Sequence, residues 1–261
     1  MSTLHAHIAG ISLWSRGLPS WEAACAYVRD GVRVDDAPNR PSPQLLAANE
    51  RRRAPDTVAV ALDVALAACQ AAGRDPATLP SVFASTHGEL SITDYMCRVL
   101  AEEPASLSPT RFHNSVHNAA AGYWTIGASA HAPANAISAG CWSFAQGLLE
   151  ALAQLADGTE EVLLVGYDGA ATGALASQSP SAGLVGAALV LTRQPGTGPS
   201  LQVQWRPSSP AVAPGPLQTL LADNASAPML ALFDALANGA GAVELPAGPS
   251  HSLHIVIAHD H

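Results

Sequence analysis

The sequence predicts an α/β protein with a mixed, mainly parallel sheet and helices on both faces. Three observations carry that expectation. Short aliphatic runs alternate along the chain with longer alanine-rich stretches whose apolar residues recur at helical spacing. Glu161 to Val165 (EVLLV) is aliphatic after its first residue, as a strand covered on both faces has to be. Pro-, Gly-, Asp- and Asn-rich segments punctuate the rest.

Taken in order, His7 to Leu13 (HIAGISL) reads as the first strand. Ser20 caps a helix through Trp21, Ala24, Tyr27 and Val28, with Glu22 in its first turn. Asp35 to Pro43 is a loop. Pro55 and Asp56 open a long helix carrying Val58, Leu62, Ala65, Leu66 and Cys69, which Gly73 stops. Ser81 to Ser85 is a strand, followed by His87-Gly88-Glu89 and a helix through Tyr95 and Val99. Pro104 to Pro109 breaks the pattern. Val116 to Ser129 reads as a helix, Asn135 to Ser138 as a brief strand and Cys141 to Leu155 as a helix with Phe144, Leu148, Leu149 and Leu152 on its apolar face. Gly183 to Leu191 and Leu201 to Trp205 read as a hairpin, Ser208 to Pro216 as a Pro/Ala linker. A short helix around Leu230 to Leu236 and a strand from Leu253 to Ala258 complete the chain, ahead of a frayed His259-Asp260-His261 tail.

Composition excludes several function classes. The 261 residues are 48% hydrophobic and only 13% charged, against about 25% charge in an average chain. Aliphatic surface of that extent fills a core, so the chain is not disordered. The net charge of −9 comes from 21 acids against 12 arginines, with no lysine anywhere, which does not suit nucleic acid or anionic lipid. No apolar run is long enough for a membrane span, and Met1 to Gly10 lacks the pattern of a signal peptide, so a cytoplasmic protein is expected. Cys25, Cys69, Cys97 and Cys141 lie far apart with no CxxC pair, which argues against a disulfide scaffold, a zinc site or any other metal centre. No cofactor is implied.

One stretch carries chemistry. A short strand leads through Ala139 and Gly140 into Cys141 at the start of a helix. A thiol there faces unsatisfied N–H groups and the positive end of the helix dipole, both of which favour thiolate. Small residues before it allow the sharp turn of a nucleophile elbow. The bland reading is an inert core cysteine, with little solvent exposure in either case.

The run Asn118 to Leu152 (NAAAGYWTIGASAHAPANAISAGCWSFAQGLLEAL), with Glu161 to Ala170 (EVLLVGYDGA) and Gly186 to Arg193 (GAALVLTR), resembles the first half of a β-ketoacyl synthase of the thiolase fold. Ala84 to Leu90, Leu107 to Trp124 (LSPTRFHNSVHNAAAGYW) and Ser138 to Ala151 are similar, more narrowly, to short ketosynthase-like chain-length factors of aryl polyene and xanthomonadin-type pigment biosynthesis. The resemblance covers residues 8 to 206. It implies a single thiolase-like half over residues 1–261, lacking the second half. It places Cys141 at the nucleophile position, with Trp142, Phe144 and Asn118 as binding residues. It also implies that the chain pairs with a full-length β-ketoacyl synthase, shapes its acyl tunnel and meets an acyl-carrier protein, in polyketide or fatty-acid-type synthesis.

The chain departs from the family in two respects. A full synthase uses two histidines and a lysine from its second half. Here the histidines after Cys141 are His251, His254, His259 and His261, none in a Gly-rich loop. In the other direction, chain-length factors usually lack the cysteine. A thiolate without those donors can accept an acyl group but cannot complete decarboxylation and condensation. The alternative is a stand-alone thiol acyltransferase or hydrolase in which His113 or His117 activates Cys141.

Other motifs have plainer readings beside the functional ones. His113 and His117 have ligand spacing but also suit a helix start. His87-Gly88-Glu89 is either a ligand-edge loop or a turn with a capping carboxylate. Asp168 ends a buried strand, a ligand-edge position where such a residue is more often a helix cap or turn former. Arg51 to Arg53 suits a solvated face or an acidic carrier-protein helix. The resemblance to the thiolase fold further implies that Ala134 to Ser138, flanked by Ala119, Ala120, Ala121, Gly122 and Ala128, lies at a sheet edge and in the interface of a homo- or heterodimer.

Overall fold

The computed structural model describes residues 3–209, 212–239 and 241–258. Helix α1 (Trp21–Asp30) starts where its cap residue dictates, with the Ser20 hydroxyl accepting from the Ala23 amide at 3.2 Å. The longer α3 (Asp56–Ala72) ends at Gly73 in the left-handed region (φ 64°). The remaining helices are α2 (Ala48–Arg53), α4 (Leu90–Glu102), α5 (Pro109–Ser115), α6 (Ala119–Gly127), α7 (Ser143–Ala156), α8 (Pro216–Leu220) and α9 (Leu230–Ala237). The expected helix over Val116 to Ser129 begins only at Ala119, because Val116 to Asn118 form a break after α5.

The strands are β1 (Leu4–Ser15), β2 (Ser81–Ala84), β3 (Ala134–Ile137), β4 (Glu161–Asp168), β5 (Val185–Thr192), β6 (Ser200–Pro207), β7 (Gly241–Pro246) and β8 (His251–Ala258). They form one open sheet in the order β3-β2-β4-β5-β1-β6-β8-β7. Only β2 runs parallel to its neighbours, β3 and β4; every other pair is antiparallel. The expectation of a mainly parallel sheet is thereby corrected. Alternation of strands and helices reports layering, not direction, and only the crossovers through α4–α6 and α7 return the chain to lie parallel.

The hairpin expected between the two strands after Gly183 is also corrected. Both β5 and β6 run antiparallel to β1, which lies between them, so they run in the same direction and cannot be hairpin partners. The link crosses β1 within the strand, beside His7 and Ile8, where the Ile8 amide donates to the Pro199 carbonyl at 2.9 Å. Helices α2, α5 and α8 and strand β7 carried no clear sequence signal. The His259–His261 tail lies outside the described residues.

Two apolar layers sandwich the sheet. One face meets α1, α7, α8 and α9 through Leu13, Leu148, Leu152, Leu164, Leu189 and Phe233, all buried. The other meets α3 and α6 through Val60, Leu62, Phe83, Trp124 and Tyr167. Helices on both faces are therefore as expected. Among the described residues, no helix is long and apolar enough to cross a membrane.

Candidate functional site

The expected elbow is present and its geometry is tight. Strand β3 runs to Ile137, and the chain turns through Gly140, whose φ of 60° belongs to the left-handed region that glycine tolerates. The Trp142 amide donates to the Ala139 carbonyl at 3.2 Å, and the Ser143 amide to the Gly140 carbonyl at 3.1 Å. The Ser143 hydroxyl ties the turn together: it accepts from the Ala139 amide at 2.9 Å and donates to the Gly140 carbonyl at 2.7 Å.

This turn consumes residues 139–142, so α7 begins at Ser143 and Cys141 sits one residue ahead of the Trp142 cap. Cys141 is exposed. The expectation of a cysteine opening the helix with little solvent exposure is corrected on both counts. Its strand is the edge of the sheet, so the elbow has a covering neighbour on one side only.

A cavity of about 440 Å³ opens beside Cys141. Its far wall is built from Pro214, Gln218, Thr219, Asn224, Ala227 and Pro228, which come from α8 and the segments on either side of it. Sequence reading placed the entrance of this wall in a Pro/Ala linker and did not foresee it, because a five-residue helix has no periodicity to find. Phe144 is buried, with its ring 5.9 Å from that of Phe233, and helps line a far smaller recess with Cys141 and Met229. Trp142 is half-buried and Asn118 is exposed at the start of α6; neither lines the 440 Å³ cavity.

The two histidines weighed as activators do not join Cys141 at this cavity. His113 is exposed on α5 and packs edge-on against Tyr123, with ring centroids 5.7 Å apart. His117 lies in the break after α5, its Nε2 2.9 Å from the Ser85 carbonyl. The two therefore do not share a helix face. Among the described residues, no group of three or more His, Cys, Asp or Glu side chains is arranged to hold a metal ion.

A polar hub stands behind the elbow at the carboxyl ends of β2 and β4. The fully buried Asp168 carboxylate accepts from the hydroxyls of Ser85 and Ser226, each at 2.7 Å, and from the amides of Thr86 (3.0 Å) and His87 (3.1 Å). Thr86 passes the constraint on: its hydroxyl donates to the Gly140 carbonyl at 3.0 Å, and its carbonyl accepts from Ser138 at 3.1 Å. Beside the hub, burial and the Asp168 charge push the Tyr167 hydroxyl well above its usual pKa. Glu89 stands ahead of α4 without a side-chain cap bond to it; its carboxylate instead accepts from the Thr57 hydroxyl at 2.8 Å at the start of α3 and from the Ser91 hydroxyl. Ser85, Thr86, Ser143 and Ser226 were not singled out in the sequence, since isolated hydroxyl residues carry no spacing signal.

The other cysteines contrast with Cys141. Burial, reinforced by Asp75, pushes the Cys69 thiol up to about 12, which leaves it unreactive in the folded chain. Cys97 is exposed on α4.

Residues 22–251 match the family of the β-ketoacyl synthase N-terminal domain. Among solved structures, the chain is similar to one in the complex of the ketosynthase ApeO with its chain length factor ApeC from Xenorhabdus doucetiae (TM-score 0.77, 24% identity, 97% of this chain and 99% of that one). It is similar as well to one in the ishigamide ketosynthase/chain length factor (TM-score 0.75, 15% identity, 99% and 100%). A β-ketoacyl synthase from Burkholderia phymatum aligns with 88% of this chain but 70% of its own (TM-score 0.60, 15% identity). A search of curated proteins returned no match. At these identities the structural likeness is one of fold, and it bears out the thiolase-like architecture that the resemblance of the sequence implied. With the family match spanning most of the sequence, the chain belongs to the β-ketoacyl synthase N-terminal domain family.

Proposed function

We propose that this protein is a chain-length-factor-like subunit that pairs with a full-length β-ketoacyl synthase and contributes a wall to its acyl tunnel. The carrying observation is mutual coverage. Chains from ketosynthase–chain length factor complexes align with this one almost end to end, at 99% and 100% of their own length, whereas the Burkholderia phymatum synthase is covered over 70%. A chain matched end to end here is itself of about this length.

Geometry supports the pairing. Strand β3 is an outer strand of the sheet, with Ala134, Asn135, Ala136 and Ser138 exposed and Ile137 half-buried. An edge with free backbone groups and small side chains favours coverage by a partner strand. Helix α6 packs beside it and leaves Ile126 75% exposed, an apolar side chain suited to the same contact. The cavity supports a binding role for Cys141 rather than turnover, since no lysine exists in the sequence and no histidine lines the cavity. Within this reading, Cys141 and Phe144 belong to the acyl-facing region, and an acyl-carrier protein delivers the chain to the partner synthase. The product class is polyene or fatty-acid-type polyketide.

The test is co-expression of the tagged chain with a β-ketoacyl synthase from the same organism, followed by size-exclusion chromatography and intact mass. A complex with one copy of each is expected. Ala136→Asp should abolish it while leaving the circular dichroism of the isolated chain unchanged. A chain that stays monomeric beside the synthase, and turns over an acyl-carrier thioester alone through Cys141, overturns the proposal in favour of the stand-alone thiol enzyme.

A further inference from the structure

We infer that Asp168 is a positioning residue that sets the size selectivity of the Cys141 cavity by holding both of its walls on one buried carboxylate. The near wall is the elbow. Asp168 fixes the Thr86 amide at 3.0 Å, and the Thr86 hydroxyl fixes the Gly140 carbonyl, adjacent to Cys141, at 3.0 Å. The far wall is the turn after α8. Asp168 accepts from the Ser226 hydroxyl at 2.7 Å, and its own backbone carbonyl accepts from the Asn224 side chain at 3.3 Å. Asn224 lines the cavity, as do Ala225 and Ala227 on either side of Ser226.

Charge explains why a carboxylate serves here. A buried ionised acid is costly unless its lone pairs are filled, and four donors fill these. The donors come from two separate stretches, residues 85–87 and Ser226, so satisfying the charge forces those stretches to a fixed separation. The elbow is tied to the first stretch through Thr86 and the far wall carries the second, so that separation constrains how far apart the cavity's walls stand. Ser181 and Ala182 also tie down the far wall, through the Ala225 amide at 3.0 Å and the Asp223 carbonyl at 2.8 Å. Loss of the Ser226 bond therefore loosens this wall without releasing it.

The inference rests on the cavity receiving an acyl chain, and the test separates the two claims. The isolated full chain is alkylated with N-ethylmaleimide and with N-octylmaleimide, and each cysteine is followed by peptide mass. Cys97, exposed on α4, serves as the internal reference, and buried Cys69 reports that the fold is intact. In the wild type, the octyl-to-ethyl rate ratio at Cys141 should exceed that at Cys97. In Ser226→Ala and Asp168→Asn this excess should fall by roughly three- to tenfold, the order of one hydrogen bond's worth of selectivity, with Cys69 still protected. An unchanged excess in Ser226→Ala overturns the role of Asp168. Equal ratios at Cys141 and Cys97 in the wild type overturn the acyl-pocket reading instead. Should Asp168→Asn expose Cys69, Ser226→Ala decides, because it removes one hydroxyl and leaves the carboxylate's other three donors in place.

Discussion

Replacing Gly166 with alanine puts a methyl group into a gap that β4 keeps empty. The added carbon would lie 2.5 Å from Cδ2 of Phe144 and 2.6 Å from the sulfur of Met229. Relaxed carbon contacts sit at about 3.5–4.0 Å, so both neighbours must retreat by roughly an ångström. Met229 can turn about three torsions. Phe144 has less freedom, because its ring is braced 5.9 Å from that of Phe233 and its backbone belongs to the first turn of α7. Overpacking of this kind costs about 1–3 kcal/mol, and one rigid neighbour with one pliable one places Gly166→Ala near 2 kcal/mol. For a domain of this size each kcal/mol lowers the melting temperature by roughly 2–4 °C, so a fall of about 4–8 °C is expected in a thermal melt followed by circular dichroism. The same two side chains line the recess beside Cys141, so Cys141 alkylation should change while that of Cys97 does not. A variant that melts with the wild type and labels identically would refute the packing argument.

Two further outcomes test separate parts of the fold. Ser20→Ala removes the hydroxyl that accepts from the Ala23 amide and should cost about 1 kcal/mol in urea denaturation, with Ser20→Gly costing less; equal losses for the two would show that the cap is not the cause. Burial raises the Asp63 carboxyl above its usual pKa. Its contribution to stability is therefore complete below the unfolded carboxylate value near 3.9 and is lost as pH rises through the higher native value. Asp63→Asn should accordingly raise the urea midpoint at pH 7, with the gain shrinking toward pH 4, and a gain independent of pH would rule out desolvation as its source.

Much of this architecture was legible because the signals were local. Ser20 and Gly73 bound α1 and α3 in the structure as they do on the page, since a cap and a left-handed stop act within one turn. EVLLV marked a strand covered on both faces, and β4 is that strand. Direction was not local. Nothing in Gly183 to Trp205 says that a strand nearly 200 residues earlier will lie between two neighbours in sequence. The elbow was readable from Ala139-Gly140-Cys141, but the exposure of Cys141 depends on β3 lying at the edge and on Ser143 drawing the helix start forward. Asp168 could be placed at a strand end, yet its donors come from positions 85–87 and 226, a convergence that no spacing rule encodes.

The position of β1 in the sheet has a consequence for how the chain is made. Its register pairs Ser15 with Val185, His7 with Thr192 and Leu4 with Val203, so β1 leaves the ribosome well over a hundred residues before its two neighbours in the sheet. Until residues 185–203 are synthesised, an apolar strand of twelve residues has neither neighbour in the final sheet. Contacts this distant in sequence are slow to close and leave aggregation-prone edges exposed meanwhile. The parallel trio β3, β2 and β4, complete by Asp168, can form around α3 and α7 beforehand and offer β5 a template. Strand β1 then locks only when β5 and β6 arrive, with β8 and β7 still to add beyond β6, and slowing translation after Asp168 lengthens the interval in which β1 is open to capture by a chaperone or by a second nascent chain.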